Sequence, residues 1–111
     1  MKTFGIFAKQ PVPGRVKTRL AADWGNDRAV ALYECFVRDL LQKFAAVGDR
    51  RVIGFAPCSD VARQWFTETS AETAEESWTL WPQPDLDLGS RMASYFKTWT
   101  ESAEHRTILI G

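Results

Sequence analysis

Short apolar runs alternate along this chain with longer stretches in which apolar residues recur every three or four positions. The runs are 3–8 (TFGIFA), 51–56 (RVIGFA), 78–81 (WTLW) and 107–110 (TILI). Runs of this length bounded by polar or turn-forming segments predict buried strands. Between the first two, Ala29, Tyr33, Phe36, Leu40 and Phe44 fall on one stripe, widened by Val30, Val37 and Leu41, while Arg28, Glu34, Arg38 and Lys43 lie mostly elsewhere. The pattern predicts an amphipathic helix with Asn26 or Asp27 as its cap and Gly48 at its end. Ser59 opens a shorter predicted helix through Glu68 that buries Val61, Ala62, Trp65 and Phe66, and the polar stretch 69–77 (TSAETAEES) predicts a solvated connection. Gly89 or Ser90 opens another, to about Ala103, with Met92, Tyr95, Phe96 and Trp99 on one face. Residues 16–22 predict a helical turn or two, broken over 23–25.

Strands that alternate with helices predict an α/β fold of three layers around a mainly parallel sheet, with right-handed crossovers as the default. No helix follows the fourth strand. Residues 1–111 are therefore expected to form a single, incomplete α/β domain, the front half of something larger. The open sheet edge at the fourth strand could pair with another copy, so a homodimer is expected.

Charge alters this picture only locally. Fourteen Lys and Arg balance fourteen Asp and Glu. A net charge of zero gives no argument for nucleic acid or an anionic membrane surface, and neither is expected as a partner. No apolar run approaches the ~18 residues of a membrane span. Cys35 and Cys58 have no metal-type spacing, and reduced thiols in a cytoplasmic protein are expected. Five tryptophans and seven phenylalanines can supply much of the core.

The local exception is the segment after the first strand, KQPVPGRVKTR, with Lys9, Arg15, Lys17 and Arg19 in eleven residues. In open α/β sheets ligands bind beyond the carboxyl ends of the strands, where this loop lies. Pro11 and Pro13 stiffen it, and Gly14 lets backbone approach a ligand. The four cations can make charge-assisted bonds to phosphate, and Thr18 and the first backbone N–H groups of the next helix add donors. Neither a GxxxxGK[ST] loop nor a GxGxxG loop is present. The residues alone leave two readings open: a phosphate cradle, or a solvated basic loop balanced by acids elsewhere. Asp87 and Arg91 stand at a loop-to-helix boundary, where Asp87 reads as a cap, an ion-pair partner of Arg91 or a ligand group. Asp85 and Asp87 have a spacing seen in some metal sites, but a solvated turn explains them as well. Asp39 lies near the apolar stripe and could orient a cation of the loop. His105 suits a helix terminus, and Trp24 is the tryptophan placed to line a pocket near the loop.

Lys9, Pro11, Pro13, Gly14, Val16, Lys17, Thr18, Arg19 and Leu20 match the signature Lys-x-Pro-x-Pro-Gly-x-Val-Lys-Thr-Arg-Leu. On these residues the chain resembles the radical-SAM/selenodomain-associated transferases, a family with a glycosyltransferase-A-like fold. Asp87, Leu88, Gly89, Arg91 and Met92 resemble its second signature. The resemblance spans the whole chain but only the family's N-terminal, nucleotide-binding half. It implies that the chain is the donor-binding part of a nucleotide-sugar transferase, with a nucleotide-sugar or nucleotide donor as its partner. Lys17 and Arg19 would contact phosphates, with Lys9 and Arg15 flanking, Phe7 and Ala8 near base or ribose, and Asp87 and Arg91 as further donor contacts. A divalent cation, Mg or Mn, is implied for the full-length family. Its acidic turn would follow the fourth strand, beyond Gly111, so this chain alone is not expected to bind it. The acceptor half would lie there too. No catalytic residue is identified. The alternatives are a nucleotidyltransferase-like protein, or a non-catalytic fragment that binds nucleotide or self-associates.

Overall fold

The computed structural model describes residues 1–73, 78–102 and 104–111. Strand β1 (Lys2–Lys9) is central, flanked by β2 (Arg50–Ala56) and β4 (Arg106–Ile110), and β3 (Thr79–Pro82) lies outside β2. All three pairings are parallel. The connections carry α1 (Thr18–Trp24), α2 (Asn26–Lys43), α3 (Asp60–Thr73) and α4 (Leu88–Trp99).

Side chains alternate across the sheet, and this alternation builds the layers. Phe4, Ile6 and Ala8 of β1 join Ile53 and Phe55 of β2 beneath Val37 and Leu41 of α2 and Ala62 and Phe66 of α3. Each fully buried large apolar side chain here contributes about 2–3 kcal/mol by leaving water. Gly5 and Phe7 face the opposite way, toward α4. Tyr95 covers Gly5 so closely that a Cβ there would stand 2.5 Å from its ring. The Tyr95 hydroxyl donates to the Ile108 carbonyl at 3.1 Å and accepts from Thr107 Oγ1 at 2.9 Å, tying α4 to β4.

Several boundaries differ from the sequence pattern, each for a local reason. The helix α3 continues to Thr73, into the stretch expected to be a solvated connection. Thr67 Oγ1 donates to the Arg63 carbonyl and Ser70 Oγ to the Thr67 carbonyl, so these hydroxyls are satisfied within the helix and Ser70 can be buried. The rest of the predicted connection, 74–77, lies outside the described residues. Helix α2 ends at Lys43, and Gly48 serves instead the turn into β2, at φ +70° and against the Lys2 carbonyl. The buried face of α2 is Ala29, Val37 and Leu41, while Phe36 is 52% exposed. Helix α4 stops at Trp99, and Ala103, its predicted end, lies outside the described residues. Helix α1 starts at Thr18, because Lys17 before it adopts the left-handed conformation (φ 50°, ψ 46°).

Candidate functional site

The chain leaves β1 for β2 on one side and later returns to pair β4 on the other, so β1 and β4 flank the point where strand order reverses. Crevices at the carboxyl ends of such sheets are the usual ligand sites. An open cavity of about 700 Å³ lies at this end, walled by Lys9, Gln10 and Val12 at and beyond the end of β1, Ala56 to Cys58 at and beyond the end of β2, and Gln83 to Asp85 after β3. Arg15 and Arg91 complete it.

The basic loop reaches the cavity through a tight turn. Arg15 N donates to the Val12 carbonyl at 3.0 Å, with Pro13 and Gly14 between them and Gly14 at φ +81°. Pro followed by a positive-φ Gly is the pairing that a type II turn demands. The turn projects Arg15 back over the strand ends. Gln10 N, donating to the Ala56 carbonyl at 2.7 Å, extends the β1–β2 ladder to the cavity floor.

Three cations, Lys9, Arg15 and Arg91, share this lining with one carboxylate, Asp85. Among the described residues no ion pair engages any of the three. Arg91 is held by neutral acceptors: Nε donates to the Leu86 carbonyl at 2.6 Å and Nη1 to Gln83 Oε1 at 3.3 Å. Gln83 is 6% exposed, and its Nε2 donates to the Gly54 carbonyl at 2.7 Å. A buried amide between a strand carbonyl and the guanidinium thus fixes Arg91 and leaves its charge uncancelled. Asp87 does not pair with Arg91 among the described residues. It caps α4, accepting from Ser90 N at 2.8 Å and from the Ser90 hydroxyl, and those bonds hold its carboxyl below the usual carboxylate range.

The other sequence candidates separate from this cavity. Lys17 turns toward α2, its Nζ 5.6 Å from the centre of the Phe36 ring, beside a small cavity of about 100 Å³. Arg19 is exposed on α1 and lines none of these cavities. Phe7 and Ala8 line a second larger cavity, of about 440 Å³, together with Lys9, Gln83 and Arg91. The side chain of Thr18 lies outside the described residues. Trp24 is 57% exposed and away from these cavities, Asp39 is exposed, and His105 Nδ1 accepts the Glu101 N–H at 3.1 Å beyond α4.

Two polar residues of the site were not singled out from the sequence. Gln83 sits between Pro82 and Pro84, a weak hint that its backbone is fixed. Tyr33 counted only as part of the apolar stripe of α2. Pairing of β1 with β4 stops at Ile6 and Ile110, and further on the Tyr33 hydroxyl accepts the Lys9 N–H at 2.9 Å. Burial pushes the Tyr33 phenol above its ordinary pKa, against the smaller opposing effect of that N–H.

No group of three or more His, Cys, Asp or Glu among the described residues could hold a metal ion. Among the described residues no helix is long and apolar enough to cross a membrane. Both cysteines are free and exposed.

The chain is similar in structure to a "putative nucleotide-diphospho-sugar transferase" from Desulfovibrio desulfuricans G20, with a TM-score of 0.83 and 31% sequence identity. The match covers 97% of this chain and 45% of that one, so the chain spans less than half of that protein's length. The expected α/β fold with a parallel sheet is thereby shown, on the architecture and on this neighbour alike. No protein-family model and no curated protein matches the chain.

Proposed function

We propose that this chain is the donor-binding part of a nucleotide-diphospho-sugar transferase, and that Lys9, Arg15 and Arg91 hold the donor's diphosphate at the carboxyl ends of β1 to β3. The observation that carries the reading is the 700 Å³ cavity, with three cations that no ion pair neutralises among the described residues. An anion entering there gains charge-assisted bonds without first breaking protein ion pairs. The likeness to the Desulfovibrio protein supports the transferase class, and the two signatures support membership of the radical-SAM/selenodomain-associated transferases.

Within this reading Lys9, Arg15 and Arg91 bind, Gln83 and Tyr33 position, and Gly14 with Pro13 sets the turn. Lys17 and Arg19 stand outside the cavity, Phe7 and Ala8 line the neighbouring one, and Asp87 caps α4. A divalent cation belongs to the full-length family and is not assigned to residues of this chain. A cytoplasmic location, without nucleic acid or membrane as a partner, completes the reading. The nucleotidyltransferase-like alternative shares the same donor site.

Calorimetric titration with nucleoside diphosphate sugars, with and without manganese, tests it. Binding is expected, weakened about tenfold in Arg15→Ala and in Lys9→Ala, the loss of one charge-assisted bond each. No binding, or unchanged binding in both variants, overturns it.

A second reading has its own observation. Among the described residues β4 pairs with β1 alone, and it carries Ile108 at 61% exposure. Self-association through this edge gives a homodimer of non-catalytic fragments. Sedimentation that stays monomeric across a wide concentration range would remove it.

A further inference from the structure

The cavity of about 700 Å³ is chemically uneven from one strand end to the next. Lys9 and Arg15 come from the β1 side, while Asp85, the carboxylate of the lining, stands across the end of β2 on the β3 side. The backbone that carries Asp85 is fixed. Gln83 N donates to the Phe55 carbonyl at 2.9 Å and so extends the β2–β3 ladder. Pro84 locks its own φ, and Leu86 N donates to the Pro84 carbonyl at 2.9 Å. Asp85 is the centre of this three-residue turn. Among the described residues no hydrogen bond or ion pair engages its carboxylate, and none engages the side-chain amide of Gln10 after β1. Between these two groups the wall carries apolar surface from Val12, Pro57 and Pro84.

A carboxylate accepts hydrogen bonds and donates none. A ligand edge that meets Asp85 must therefore offer donors, and two adjacent donors satisfy both oxygens. Among the common nucleobases guanine alone has two adjacent N–H donors on one edge, N1–H and the 2-amino group, with the acceptor O6 beside them. Uracil presents one N–H between two carbonyl oxygens, and those oxygens repel a carboxylate. Adenine and cytosine each set one amino group beside an acceptor nitrogen. We propose that the donor is a guanine nucleotide, with its base lying across the end of β2. Asp85 accepts from N1–H and the 2-amino group, and the Gln10 amide donates to O6. Val12, Pro57 and Pro84 cover the ring faces, as apolar side chains do for bases read along this edge. The diphosphate lies on Lys9, Arg15 and Arg91. Selection of guanine rests on the donor reading above.

The test is calorimetric titration of the chain with guanosine, inosine and uridine diphosphates. The guanosine compound is expected to bind at least about tenfold more tightly than the uridine compound, the contribution of hydrogen bonds to a charged group. The inosine compound, which keeps N1–H and O6 but lacks the 2-amino group, should fall between them. Asp85→Asn puts a donor amide where one acceptor oxygen stood, so the ratio of guanosine to uridine diphosphate affinity should drop at least about tenfold. A ratio read within one protein is not mimicked by a folding defect, and circular dichroism should be unchanged. Equal affinity for guanosine and uridine diphosphates overturns the proposal, and so does a guanine preference that survives Asp85→Asn. A loss shared equally by all three nucleotides in Asp85→Asn also overturns it, since the carboxylate would then hold the ribose. If the three bind equally and all weaken in Arg15→Ala, the choice of base fails and the donor site stands. If none binds, the donor site fails and the choice of base with it.

Discussion

At the scale of single residues, contacts fix what the residue types left open. The four cations of the basic loop look equivalent in sequence, but of the four Lys9 and Arg15 line the cavity of about 700 Å³ and Lys17 and Arg19 do not. Lys17 is diverted by its backbone. At φ 50° it occupies a region costly for most side chains and worst for β-branched ones. Lys17→Val should therefore lower stability by about 1 kcal/mol or more, while Lys17→Gly should not lower it, as chemical denaturation will measure. Gly5 is a sharper case. A Cβ there would overlap the Tyr95 ring, so Gly5→Ala should cost about 1–3 kcal/mol, and an unchanged denaturation midpoint would contradict the packing described. Two tyrosines, the half-buried Tyr33 and the buried Tyr95, give a pH signature. Burial raises the phenols of Tyr33 and Tyr95 above the unfolded value of 10.0. A raised folded pKa favours the protonated, folded state, so this stability is whole below about pH 10 and lost as pH rises through the folded values. Urea midpoints should fall above about pH 10, and less steeply in Tyr33→Phe. Asp87 works in the opposite sense: its lowered pKa gives stability that is present above the unfolded value and lost as pH falls through the folded one.

At the scale of elements, periodicity made the order of strands and helices legible, because burial acts on whole faces. The four apolar runs became the four strands within a residue or two. What periodicity could not show was where polar residues stay helical. Thr69 and Ser70 are buried in α3, and hydroxyl-to-carbonyl bonds within the helix keep Ser70 satisfied. Their polarity had suggested solvent. Amide exchange should show protection running past Glu68 to Glu72, and protection that ends at Glu68 would contradict the longer helix. The candidate site was legible only where an unusual loop marked it. The prolines, Gly14 and Arg15 announced the turn. Gln83 and Tyr33 act through partners distant in sequence, Gly54 with Arg91 and Lys9, and no local pattern encodes such partners.

At the scale of the whole molecule, the strand order 3-2-1-4 gathers loops from three strands at one end and places two cavities side by side there. A chain of zero net charge thereby concentrates three cations on one concave surface. The donor reading depends on that concentration. Its most direct measurement is calorimetric titration of uridine diphosphate into the chain and into a Lys9→Ala, Arg15→Ala double variant, each at low and at physiological salt. Saturable binding that weakens about a hundredfold in the double variant, and weakens with salt in the parent, is the predicted result. Binding that is absent from the parent, or equal in the two proteins, would contradict the donor site.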